Sequence, residues 1–233
     1  MKKLFFILSI AFTAGMISCN NNETATGVVN LKAQVSGNTS INTGGRLAAA
    51  VEITEFMISI RDVSFKNEDD SNPEFDTLDV KFRGPYQLNL LDGGEALAET
   101  IGAADIPNGN YKEIRFKLHK DEDLAPSNDL YDRSIFLAGT IDGTPFEMWH
   151  DTSENLDVGR STGVVVLDNE VSLTVNFTID QFLMALHQID ISQAVDGNQD
   201  GLIEIHPNDP DGNKEIADQL KDNIKEAADL MDF

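Results

Sequence analysis

The sequence predicts a mainly β protein, an antiparallel β-sandwich with a short helical appendage at its C-terminus. Three observations point there. Between residues 27 and 179 apolar residues recur at every second position in short runs. Turns rich in glycine, asparagine and aspartate separate those runs, with almost no helical period between them. From residue 180 onward the pattern changes to a helical one.

Each element follows from its residues. Val29, Leu31, Ala33 and Val35 alternate with Asn30, Lys32 and Gln34, as in a strand with one buried face. Residues 51–65 form a long strand whose apolar side chains change face near Phe56 and Met57, which predicts a bulge. An acidic, proline-containing loop follows at 66–74. Tyr86, Leu88 and Leu90 alternate up to the turn Asp92-Gly93-Gly94, and Ile114, Phe116 and Leu118 alternate after the turn Pro107-Asn108-Gly109-Asn110. Residues 135–141 and 146–150 read as a hairpin across Asp142-Gly143-Thr144-Pro145. Residues 163–167 and 171–179 read as a second hairpin across Asp168-Asn169. A short helix is predicted at 181–187. Ile216, Leu220, Ile224, Ala227 and Met231 then share one face of a final helix that packs on the sandwich. There is no internal repeat.

The N-terminus carries a targeting signal. Met1-Lys2-Lys3 precedes an apolar run at 4–12 and small residues up to Ser18. The run is too short to span a bilayer as a helix. Cys19, the only cysteine of the chain, follows at once. Met16-Ile17-Ser18-Cys19 resembles the lipobox of bacterial lipoproteins, with an apolar residue three before the cut and a small one just before it. The resemblance implies a diacylglycerol group on the Cys19 thiol and cleavage before Cys19. The alternative, an ordinary signal peptide, leaves a free thiol in an exported chain, which is unusual. Asparagine after the cysteine resembles outer-membrane lipoproteins more than inner-membrane ones. The expected organisation is a leader at 1–18, a polar tether at 19–26, a sandwich at 27–179 and a helical appendage at 180–233.

Charge excludes some partners. Against 40 acidic residues stand 17 lysines and arginines, and loss of the leader takes the net charge from −23 to −25. Such a surface repels nucleic acid and anionic headgroups and favours divalent cations and basic partners. For most of these carboxylates solubility is reason enough.

The segments Gly27-Val28-Val29-Asn30-Leu31, 51–65, Tyr86-Gln87-Leu88-Asn89-Leu90-Leu91-Asp92-Gly93-Gly94 and Ile106-Pro107-Asn108-Gly109-Asn110-Tyr111-Lys112-Glu113-Ile114-Arg115-Phe116 stand in a recognisable order. Together they resemble lipid-anchored proteins with a "domain of unknown function", in which a dLL-G segment precedes a PaG-Y-qiR segment on a transthyretin-like or immunoglobulin-like sandwich. The resemblance implies a fold and an exported location, not a reaction. A related group of periplasmic copper-binding proteins shares the sandwich and the turn, but its aromatic-rich, glycine-ended segment is not found here.

The sharpest local motif is Asp196-Gly197-Asn198-Gln199-Asp200-Gly201-Leu202-Ile203-Glu204. It resembles the first nine positions of an EF-hand or dockerin calcium loop. Oxygen ligands at positions 1, 3 and 5 (Asp196, Asn198, Asp200) can converge on one ion, glycine at 6 makes the turn, and Leu202 at 7 offers its carbonyl. Position 12 is Pro207 where a bidentate glutamate is expected. Glu204, or Asp209 and Asp211 beyond it, are candidates for the missing ligands, for one ion or two. The competing reading is a pair of Asx turns leading into a helix, with Asp211 or Asn213 as N-cap.

The four histidines are scattered. Trp149-His150 resembles part of a copper site, and His119 and His150 are the alternative metal candidates. In a strand Trp149 and His150 face opposite ways, so one is expected in the core and the other on the surface. No Gly-x-Ser-x-Gly, His-Glu-x-x-His or phosphate-binding glycine loop is present. The reading that follows is an exported, lipid-anchored, noncatalytic binding or structural protein of the bacterial cell envelope. It sits at the outer membrane on its periplasmic or surface face, is stabilised by calcium, and has an unidentified protein or glycan ligand. Copper handling and glycan binding or hydrolysis are the alternatives.

Overall fold

The computed structural model describes residues 25–42, 50–67, 80–184 and 191–232. The leader, Cys19, most of the tether, most of the acidic loop 66–74 and the end of the helix expected at 181–187 lie outside the described residues. In chain order the strands are β1 (Thr26–Ser36), β2 (Ser40–Asn42), β3 (Ala50–Asn67), β4 (Val80–Asp92), β5 (Glu95–Ala96), β6 (Ala98–Pro107), β7 (Gly109–Leu118), β8 (Ile135–Ile141), β9 (Thr144–His150), β10 (Asn155–Val166) and β11 (Glu170–Thr178). Helix α1 (Ile179–Met184), β12 (Ile203–Ile205), α2 (Lys214–Ala227) and β13 (Ala228–Asp232) complete it. The chain is mainly β, as expected.

Two sheets enclose one core. The smaller runs β13-β11-β1-β6, and the larger runs β10-β7-β3-β8-β9-β12, with β2 and β4 on the other edge of β3 and β5 on β4. The axis of the larger sheet is β3. It pairs with β8 along its first half, with β7 along its second half and with β4 opposite. Its buried apolar residues fall in three sets: Val51 and Ile53; Phe56, Ile58 and Ile60; Val63 and Phe65. Strict alternation would turn each new set outward. Register shifts at Ile53/Glu55 and Ile60/Asp62, which leave Thr54 and Arg61 of β3 without a pair, instead return the apolar side chains to the core face. The face change expected near Phe56 and Met57 therefore falls at Thr54, and the shift at Phe56/Met57 puts its extra residue, Leu90, in β4. Across the core, Phe56 meets Phe177 of β11 edge-on at 6.1 Å and Phe182 of α1 at 5.6 Å, joining the two sheets and the helix.

Four features depart from expectation. Residues 163–167 and 171–179 are not a hairpin, because β10 belongs to the larger sheet and β11 to the smaller. The turn is anchored from outside. Asn108 donates from Nδ2 to Asp168 Oδ1 (2.7 Å) and accepts from Asp168 N (2.9 Å), so the corner is fastened to the Pro107–Asn110 turn and the chain crosses between sheets. Next, β1 and β11 pair in parallel, as do β9 and β12, while the remaining pairs are antiparallel. The final helix stops at Ala227, and Met231 lies in β13, which pairs its backbone with the edge of β11. Lastly, the C-terminal segment adds β12 and β13 to the sheets as well as helices. Helix α2 buries Ala217, Leu220, Ile224 and Ala227, and its buried Asn223 donates to the Phe182 carbonyl of α1 at 2.9 Å.

Candidate functional site

The acidic loop before β12 folds around its own carboxylates. Asp196 accepts from the backbone N–H of Asp200 (3.1 Å) and of Gly201 (2.9 Å). Asn198 Oδ1 accepts from Asp200 N (2.9 Å), and Asp200 Oδ1 from Leu202 N (2.9 Å). These are nested Asx turns. Gly201 sits at φ 94°, the left-handed region that position 6 of the motif requires. Asn198 Nδ2 then stands between Asp200 Oδ2 (3.1 Å) and Glu204 Oε2 (3.3 Å), so the carboxylates of positions 5 and 9 converge on one donor.

The remaining candidates have separate roles. Asp211 is buried and accepts from Asn198 N (3.0 Å) with one oxygen and from Glu204 N (2.7 Å) with the other, bracing the loop against β12. Asp209 Oδ1 accepts from Lys214 N at 2.7 Å, capping the first turn of α2 from outside the helix. Asn213, at the N-cap position, makes no side-chain bond to the helix. Its amide instead bridges Val195, through N (3.0 Å) and O (2.8 Å), to Glu204 O (2.9 Å). The structure thus brings Asp196, Asn198, Asp200, Glu204 and Asp211 together and places Asp209 at the helix. Among the described residues no three His, Cys, Asp or Glu side chains form a ready-made metal group. In the loop the third convergent side chain is an amide, that of Asn198.

A neighbouring cluster escaped sequence reasoning. The parallel pairing of β12 with β9 sets Glu204 opposite Glu147 and carries His206 to the ring of Trp149, where the two stack at 4.5 Å. Nε2 of His206 lies 3.2 Å from Glu204 Oε1. The Arg133 guanidinium lies over Trp149 at 5.1 Å and over Phe136 at 5.4 Å. The spacing Glu204-x-His206 was the available signal, since residues two apart in a strand share a face. Trp149 and His150 do face opposite ways, but both are half-buried, so neither is core or surface as expected. The ring of His150 is flanked by Asp151 (3.5 Å) and by Asp218 of α2 (3.6 Å), and burial holds its pKa below the usual value despite these carboxylates. His119 contacts Ser153 Oγ at 3.3 Å, and burial and the nearby Arg61 hold its pKa down.

A model of one protein family, described as a domain of unknown function (DUF4382), matches residues 48–207. The chain belongs to that family. The DUF4382 match opens two residues before β3 and closes two after β12, so it takes in the loop 196–204 and crosses the boundary expected at 179/180. Strand β1, Asp209, Asp211 and α2 lie outside it. Comparison with curated proteins and with solved structures gives no match. Among the described residues no helix is long and apolar enough to cross a membrane.

Proposed function

We propose that this chain is an exported, lipid-anchored, noncatalytic binding or structural protein of the bacterial cell envelope, with calcium stabilising its C-terminal region. The observation that carries the calcium reading is the convergence of Asp200 Oδ2 and Glu204 Oε2 on Asn198 Nδ2, inside a loop whose glycine and Asx turns follow the calcium-loop pattern. The donor set fits a hard cation: carboxylates, an amide and the Leu202 carbonyl, all oxygen ligands. Asp196, Asn198, Asp200, Leu202 and Glu204 would hold the ion. It would neutralise carboxylates that otherwise repel one another. Because Asp211 and Asn213 tie this loop to β12 and α2, its stability is shared by the helix and the sheet edge. The lipid anchor rests on Cys19 and its lipobox-like surroundings.

Calorimetry and thermal melts of the chain from residue 20, in calcium and in chelator, test the ion. A site with a Kd of about 10⁻⁴ M gains about 2.7 kcal/mol at a hundredfold excess of calcium. For a chain of this size that is about 5–11 °C in Tm. The expected rise disappears in Asp196→Ala/Asp200→Ala. No heat and no shift would remove the ion and leave turns and caps. Labelling with radioactive palmitate in cells, lost in Cys19→Ala, tests the anchor.

A further inference from the structure

A cavity of about 340 Å³ lies between strands β3 and β4 and the connection from β7 to β8. Met57 and Leu130 supply its apolar wall, and Gln87, Asn89, Ser127, Asn128 and Asp129 its polar groups. The connection over it is pinned by backbone bonds to β3. His119 N donates to Ser59 O (3.1 Å), and Ser59 N donates to Ser134 O (2.9 Å). Within the connection Asn128 Oδ1 accepts from Leu130 N at 2.9 Å, and Tyr131 N donates to Asn128 O at 2.9 Å. The space is therefore preformed.

Gln87 donates from Nε2 to Asp121 Oδ2 at 3.0 Å. Among the described residues, none donates to the buried acceptor Asn89 Oδ1, and such an atom costs free energy until something does. Asp129 is exposed at the rim. The nearby Arg133 donates to the Asp129 backbone carbonyl (3.2 Å), with its guanidinium over Phe136 and Trp149. The surrounding field is negative. Glu55, on β3 two residues from Met57, has its carboxyl pushed up by burial and then by Asp129, Asp92 and Glu147.

We propose that this cavity binds an organic cation on a short alkyl stem, an ammonium or guanidinium group presented by a free amine or by a lysine or arginine side chain of a peptide. The stem packs on Met57 and Leu130. The head group, which has donors and no acceptor, faces Asp129 and the Asn89 carbonyl. This site is separate from the calcium loop, and its test holds with or without that ion.

The test is NMR titration of the mature chain with n-butylammonium, n-butylguanidinium and a blocked lysine tripeptide, with n-butanol as neutral control. Each titration is run in chelator and again in calcium. Saturable shifts of the Asn89 side-chain amide and the Leu130 methyls are expected with the cations, and binding at least about tenfold weaker with butanol. Asp129→Asn and Asn89→Leu, checked for wild-type Tm, each weaken binding about tenfold. Tighter binding of the tripeptide assigns a peptide side chain, and tighter binding of the free amine assigns a small molecule. No saturable shift up to about 10 mM, equal binding of butanol, or full binding by Asp129→Asn overturns the proposal. Loss of calcium binding with retained amine binding would sink only the calcium reading.

Discussion

Asp211→Ala separates the mechanical role of the acidic segment from its ion-binding role. In chelator, no cation contributes, and the remaining function of Asp211 is to accept two backbone N–H groups, from Asn198 at 3.0 Å and Glu204 at 2.7 Å. Hydrogen bonds to a charged acceptor contribute about 1.5–3 kcal/mol each. Asn198 is exposed, so water replaces most of its bond, while the Glu204 N–H is half-buried and loses its partner outright at about 1–3 kcal/mol. Asp211 is itself only 6% exposed, so truncation also leaves a small void. The net cost is about 2–4 kcal/mol, or about 4–16 °C in Tm at 2–4 °C per kcal/mol for a domain of this size. Asp211→Asn keeps an acceptor and loses the charge, so it should fall about halfway. Asp123→Ala, an exposed carboxylate on the β7–β8 connection, is the control and should cost under about 0.5 kcal/mol. The assay is thermal unfolding of all four proteins by circular dichroism in chelator. If Asp211→Ala melts with the control, the carboxylate does not brace the loop and the reasoning fails.

Three further outcomes follow from the structure. The Glu55 carboxyl is held above its usual pKa of 4.5, first by burial and then by Asp129, Asp92 and Glu147. A group raised in the folded state contributes stability that is full below the unfolded pKa and is lost as pH rises through the folded value. Glu55→Gln should therefore melt above wild type at pH 7 and level with it at pH ~3.5; an equal gap at both values would disprove the assignment. Phe56→Ala removes the ring that meets Phe177 and Phe182 and should lower urea-unfolding stability by about 3–5 kcal/mol. A loss under about 1 kcal/mol would mean that this junction of sheets and helix does not hold. At Gly139 a Cβ would overlap the Glu52 carbonyl oxygen across the β3–β8 pair. Gly139→Ala should accordingly give no cooperative melt, and a wild-type melt would show that the strands separate easily.

Much of the larger sheet was legible because its signals are local. The alternation of Ile114, Phe116 and Leu118, the hairpin at Asp142-Gly143 and a face change within β3 all depend on residues within a few positions of each other. The corner at Asp168-Asn169 was misread because turn chemistry specifies that the chain reverses, not whether the next strand stays in the same sheet. In the fold that corner is fastened to Asn108, 60 residues away. Strand β12 was hidden inside the calcium-loop pattern, since Ile203-Glu204-Ile205 alone is too short to carry a period. Strand β13 continued a helical pattern, and only the open edge of β11 decides its conformation. At the site, only the spacing of the candidate ligands Asp196, Asn198 and Asp200 is written in residue types. The buried placement of Asp211, which turns a candidate ligand into a brace, depends on tertiary packing.

The parallel union of β1 with β11 has a consequence for how the chain is made. Gln34 of β1 bonds Asn176 of β11 across 142 residues of sequence. At synthesis rates of about 5–20 residues per second, the earlier strand waits roughly 7–28 s for its neighbour. Its other neighbour, β6, arrives sooner but fills a single edge. Through that interval Val29, Leu31, Ala33 and Val35 are presented on a strand with an open flank, the arrangement that recruits other chains. A nascent chain halted before Thr178 cannot close the smaller sheet. The smaller sheet is therefore completed late, only once β11 and then β13 are present.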